Sequence, residues 1–153
     1  MEELHQIVIE LENRIPHLIR ENTSVTKASV GWHVEHTLLT INVIIEELKL
    51  SNPKEYTSKF SLPKLAVFAL NYIPRGKAKA PSVVQPAADF NMDSLKIQIK
   101  STIANVGLLP TFNANQYFKH PIFGMLNLKP TIKFLTIHSQ HHLKIIDDIL
   151  KRS

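Results

Sequence analysis

The feature that most constrains this chain is a run of apolar positions near its C-terminus with helical spacing. Leu128, Ile132, Leu135, His138, His142, Ile146 and Ile149 follow one another at steps of 4, 3, 3, 4, 4 and 3, the repeat of a single helix face. Two members of that face are histidines where the pattern asks for aliphatic side chains. An α-helix turns about 100° per residue, so His138 and His142 lie about 40° apart, one turn above the other. Any fold that buries this helix turns two imidazoles toward its interior. His141 is rotated to the edge of the arc and is the weaker candidate.

Three other long segments share the helical period. The first runs from Glu2 to Arg20 with Leu4, Val8, Leu11, Ile15 and Leu18 on one stripe. Pro16 removes one intrahelical hydrogen bond there, so a kink or an early end is expected. Ser29 is placed to cap a second helix that reaches Leu50, before Ser51-Asn52-Pro53 stops it. Leu95, Ile99, Thr102, Ile103 and Val106 mark a third helix capped by Asn91 or Asp93. The fourth starts at Asn127 as its cap and tolerates Pro130 in its first turn. Between the second and third lies a shorter apolar segment, Leu62 to Ile73, followed by a stretch with Pro74, Pro81 and Pro86. That stretch, Pro74 to Asp89, is expected to be ordered against the body because Val83 and Val84 need burial. A second irregular passage spans Gly107 to Gly124. No segment shows apolar–polar alternation bounded by turns, so the expectation is an all-α fold. Its simplest form is a four-helix bundle of one domain, residues 1–153, with long connections after the second and third helices.

Composition removes several classes of function. The 153 residues include no cysteine, which excludes disulfides, thiolate metal sites and a cysteine nucleophile. The net charge is +5, but the lysines are scattered. Arg75, Lys77 and Lys79, the densest basic group, sit in a Pro/Gly loop without interleaved aromatics. A solvated basic surface is expected rather than a nucleic-acid partner, although local basicity beside a site attracts anions. Glu2, Glu3, Glu10 and Glu12 interrupt what a signal peptide would need as an apolar run. Apolar runs elsewhere fall short of the roughly 18–20 residues of a membrane helix. These readings set the expectation of a soluble cytoplasmic protein with no membrane partner.

The second helix repeats the histidine anomaly. Val34, Leu38, Ile41, Ile45 and Leu48 form one stripe; Trp32, His36, Leu39, Val43 and Leu50 form another, with His36 its polar member. His33 falls on neither. A helix with two apolar faces is wedged between neighbours or lends one face to a subunit interface, which makes a homodimer the expectation. The alternative is that Leu62 to Ile73 covers the spare stripe. Buried imidazoles are costly unless their nitrogens are satisfied. Hydrogen bonds within the core do this one by one, and a metal ion satisfies several together. Three neutral imidazoles, His36, His138 and His142, leave open coordination positions, the pattern of a reactive site. Zn²⁺ and Ni²⁺ both suit such ligands, and spacing does not choose between them. The zinc-protease pattern H-E-x-x-H is absent, because His33-Val34-Glu35-His36 has the wrong spacing. Of the neighbouring residues, His120 is expected to order a turn that packs Phe123, Trp32 to fill the core, and Glu35 and Glu46 to be solvated.

Trp32-His33-Val34-Glu35-His36, His120-Pro121-Ile122-Phe123-Gly124 and His138-Ser139-Gln140-His141-His142-Leu143 together resemble the DinB-like superfamily of metalloenzymes. The last two resemble a branch of unassigned function in which H-P-x-F-G precedes a helix ending in H-x-x-H-H. The resemblance runs through the whole chain in element order. It implies a four-helix bundle whose metal is held by one histidine of the second helix and two of the fourth, which carry over to His36, His138 and His142. Members of the superfamily include thiol S-transferases that use bacillithiol or mycothiol, and a mycothiol-dependent maleylpyruvate isomerase.

Two functional expectations follow from different classes. In the first, the protein is a divalent-metal-dependent transferase: a low-molecular-weight thiol cosubstrate coordinates the ion, loses its proton and attacks a small electrophilic substrate as thiolate. The chain has no thiol, so the nucleophile comes from the cosubstrate. In the second, it is a non-catalytic metal-containing protein that binds a small ligand or a partner. An open apolar pocket beside the ion favours the first; a pocket plugged by the proline-rich stretch favours the second.

Overall fold

The computed structural model of the chain describes residues 1–76, 80–86 and 91–151. Helix α1 (Glu2–Glu12) buries Leu4, Ile7, Val8 and Leu11. It stops short of the expected Arg20 because Pro16 cannot continue the hydrogen-bond ladder. The chain instead makes a 3-10 turn, Ile15–His17, which keeps Ile15 and Leu18 in the core. Helix α2 (Val30–Leu50) begins where the Ser29 side chain accepts from the Trp32 backbone N–H at 3.2 Å. Helix α3 (Leu62–Leu70) is capped by Ser61, carries Pro63 in its first turn and ends on Asn71 in the left-handed region. Helix α4 (Met92–Leu108) opens with a reciprocal cap between Asn91 and Ser94. Helix α5 (Leu128–Lys151) is the longest, with Pro130 in its first turn.

The expected all-α four-helix bundle is corrected by what lies between α4 and α5. Among the described residues five α-helices form rather than four, and the passage expected to be irregular folds into an antiparallel hairpin. Its strands are β1 (Tyr117–His120) and β2 (Gly124–Asn127), paired from Tyr117↔Asn127 to His120↔Gly124. The strands are only four residues long. In β1 two buried residues precede an exposed and a half-buried one, so no period-2 alternation is written into the sequence. Gly124, at φ 75°, closes the turn in the left-handed conformation that glycine adopts most readily. Strand β2 runs directly into α5.

Helices α1 and α2 each pack against both α4 and α5, and the hairpin lies against α2 and α5. The inner stripe of α2 (Val34, Leu38, Ile41, Ile45, Leu48) is buried throughout. On the outer stripe Trp32, Leu39 and Val43 are partly covered, while Leu50 is 76% exposed. Two buried threonines of α2 carry no polar cost, because Thr37 and Thr40 donate to the carbonyls of His33 and His36. Asn42 ties α2 to α4, donating to Thr102 and accepting from Asn105, both at 2.8 Å. In the proline-rich stretch, Val84 is buried in a 3-10 turn (Ser82–Val84), but Val83 is 64% exposed, against the expectation that both need cover. Lys77 and Lys79 lie outside the described residues. Among those described, no helix is long and apolar enough to cross a membrane.

Candidate metal centre

The sequence-predicted histidines converge. His36 comes from the second turn of α2, and His138 and His142 come from successive turns of α5. The ring centroids of His36 and His142 are 4.7 Å apart, those of His138 and His142 4.6 Å, and those of His36 and His138 5.2 Å. Each ring offers one nitrogen, and these nitrogens lie within 4.8 Å of one another, so the cluster can hold a metal ion.

Hydrogen bonding settles part of the proton placement. His36 Nδ1 is 2.8 Å from the Val84 carbonyl. A carbonyl only accepts, so Nδ1 carries the proton and Nε2 keeps its lone pair. His138 is half-buried as a residue, yet its Nδ1 is shielded from solvent and has no hydrogen-bond partner among the described residues. An orphaned buried imidazole nitrogen is what a cation would satisfy. Burial keeps the rings neutral. Desolvation pushes His138 and His142 well below the ordinary imidazole value, reinforced by the neighbouring histidines. It also lowers His36, partly offset by the bond to Val84. Neutral nitrogens with lone pairs are the form that binds metal.

Two residues were misjudged by periodicity. His33, on neither apolar stripe, is only 4% exposed, and its Nδ1 sits 2.9 Å from Nδ1 of His142. Desolvation, with the neighbouring charges of His36, His141 and Arg75, pushes its pKa down to about 3. Glu35, expected to be solvated, has a buried Oε2 without a partner among the described residues, and burial raises its pKa. Neither was visible because both lie off the two apolar stripes of α2, and periodicity does not say how far the cover extends beyond a stripe. Glu46, by contrast, is exposed and sits 3.7 Å from Lys49.

Other residues surround the cluster. Trp32 is half-buried and stacks on His36, with centroids 4.8 Å apart and planes 15° apart, so it forms a wall of the site. His120 orders the hairpin turn as expected: its Nδ1 accepts from the backbone N–H groups of Ile122 and Phe123, and its ring stacks on Phe123 at 4.0 Å. Phe134 packs against both His120 and His138, linking the hairpin to the cluster. His141 stands edge-on to His142 but is not part of the converging set. Arg75 pairs with Asp148 at 2.8 Å and lines, with Tyr72, His141 and Lys144, a small cavity of about 40 Å³. A larger cavity of about 340 Å³ lies between residues 58–61 and α3, lined by Phe60, Lys64, Leu65 and Phe68. Comparison with protein-family models, curated proteins and solved structures gives no match to this chain.

Proposed function

We propose that the protein binds one divalent metal ion, Zn²⁺ or Ni²⁺, through His36, His138 and His142, and uses it in thiol S-transfer as a member of the DinB-like superfamily. The observation that carries the metal-binding part is that three largely buried imidazoles from two helices each bring a nitrogen within 4.8 Å of the other two. The transferase part rests on the resemblance of the three histidine motifs. A bound divalent cation supplies Lewis acidity that acidifies a coordinating thiol. The chain's own residues do the rest: three imidazoles present lone pairs, Val84 holds the His36 ring, and Trp32 walls one side. A second reading, a non-catalytic metal-containing binder, is favoured by the position of Ser82–Val84, whose last carbonyl lies directly on His36.

Titration of the tag-free, metal-free chain with Zn²⁺ against a chromophoric chelator tests the ligand set. His36→Ala, His138→Ala and His142→Ala should each weaken binding strongly, while His141→Ala and His120→Ala should leave the affinity near wild type. Undiminished affinity in His36→Ala, or an equal loss in His141→Ala, shows that other groups hold the ion. Conjugation of low-molecular-weight thiols to an electrophile by the loaded protein then separates the two readings. Turnover abolished by chelator supports the transferase, and tight metal binding without turnover leaves the binder.

A further inference from the structure

We propose that His33 is a positioning residue that fixes which nitrogen His142 presents to the metal. The proposal rests on the ligand set above and adds a residue to it. The two Nδ1 atoms are 2.9 Å apart, a hydrogen-bond distance, and two neutral imidazoles facing each other this way share one proton between those atoms. Only two arrangements exist. If His33 donates, the Nδ1 lone pair of His142 is consumed and its proton sits on Nε2, so His142 has no free nitrogen for a metal. If His142 donates, its Nε2 is a lone-pair ligand and its Nδ1–H is held in place. The second arrangement, with the His33 proton on Nε2, leaves Nε2 of His142 free for a metal, and it is the one we assign to the metal-free chain.

The same logic operates one ligand away. His36 gives its Nδ1–H to the Val84 carbonyl and is left with Nε2 free, the usual arrangement in which a metal-ligating imidazole donates its other N–H to an acceptor. His33 is the acceptor for His142 as Val84 is for His36. The burial of His33 points the same way. Its Nε2 is shielded and has no partner among the described residues, a cost that an aliphatic side chain at this position would not incur. The retained value of the imidazole lies in its other nitrogen, the one on His142. Ser29 caps the helix just before His33, and Thr37 donates to the His33 carbonyl.

The test compares wild type with His33→Ala and His33→Asn, the latter retaining an acceptor near the former Nδ1 position. Ring ¹⁵N spectra of the metal-free proteins should show His142 protonated at Nδ1 in wild type and in His33→Asn. In His33→Ala it should shift toward the Nε2–H form that free imidazole prefers. Zn²⁺ affinity should fall about 10- to 100-fold in His33→Ala, the usual effect of losing such an outer partner, and recover most of that loss in His33→Asn. Unchanged tautomer and affinity in His33→Ala overturn the proposal. So does a His33 nitrogen shifted by coordination, with His33→Asn as weak as His33→Ala, because His33 is then itself a ligand. A wild-type chain that takes up no Zn²⁺ overturns the ligand set instead, and the spectra of the metal-free chains still decide the His33–His142 bond.

Discussion

Acidification should unfold this protein partly through His120, and the size of that contribution can be worked from its surroundings. Its Nδ1 accepts from two backbone N–H groups at 3.1 Å each, and its ring lies between Phe123 and the edge of Phe134. Burial pushes its pKa from 6.5 down to about 4. The folded-state value is depressed, so the unfolded chain takes up the proton first as pH falls. Stability from the neutral ring is whole above about pH 6.5, drains away between about 6.5 and 4, and changes no further below. The full displacement corresponds to about 3 kcal/mol, of which about 2 kcal/mol is lost between pH 7 and 5. The ring is half-buried, and solvent screening brings this nearer 1 kcal/mol. His120→Asn keeps an acceptor for the turn but does not titrate, and it loses aromatic stacking of about 0.5–1.5 kcal/mol. The variant should therefore be less stable at neutral pH, with the gap to wild type narrowing by about 1–2 kcal/mol near pH 5. Urea unfolding of both chains with chelator present, followed by circular dichroism at the two pH values, measures this. The other buried histidines titrate in both proteins and cancel in the difference, except for His138, whose pKa the charge of His120 also lowers. Equal loss of stability in the two chains on acidification would refute the reasoning, because His120 would then not be held neutral by the fold.

Two further substitutions probe how the chain places its site. Ser29→Ala removes the side-chain cap from the helix that carries His33 and His36; it should cost about 1 kcal/mol in urea unfolding, and no change would show that another group satisfies the Trp32 N–H. Gly124→Ala puts a side chain at φ 75° with no atom within 4 Å of the added Cβ. Its cost should be confined to the backbone, about 1 kcal/mol, and a loss several times larger would mean that the hairpin turn is packed against something.

Local signals in the sequence determined the helices. Ser29 and Asn91 act as caps at the predicted positions, Pro16 ends the first helix, and the apolar stripes of α1, α2, α4 and α5 are buried much as their period requires. His36, His138 and His142 were legible for the same reason: a polar residue on a 3.6-residue stripe is visible without knowing what faces it. What faces it was decided only by tertiary structure. The hairpin carries no alternation, because its inner face is set by Phe118, Phe123 and Leu126 settling against the helices. The contact between His33 and His142 joins residues 109 positions apart, and the bond from His36 to Val84 brings in a segment with no periodicity at all. Periodicity fixes the direction in which a side chain leaves its own helix. Which group waits there depends on packing between elements, and so does the proton arrangement of each imidazole.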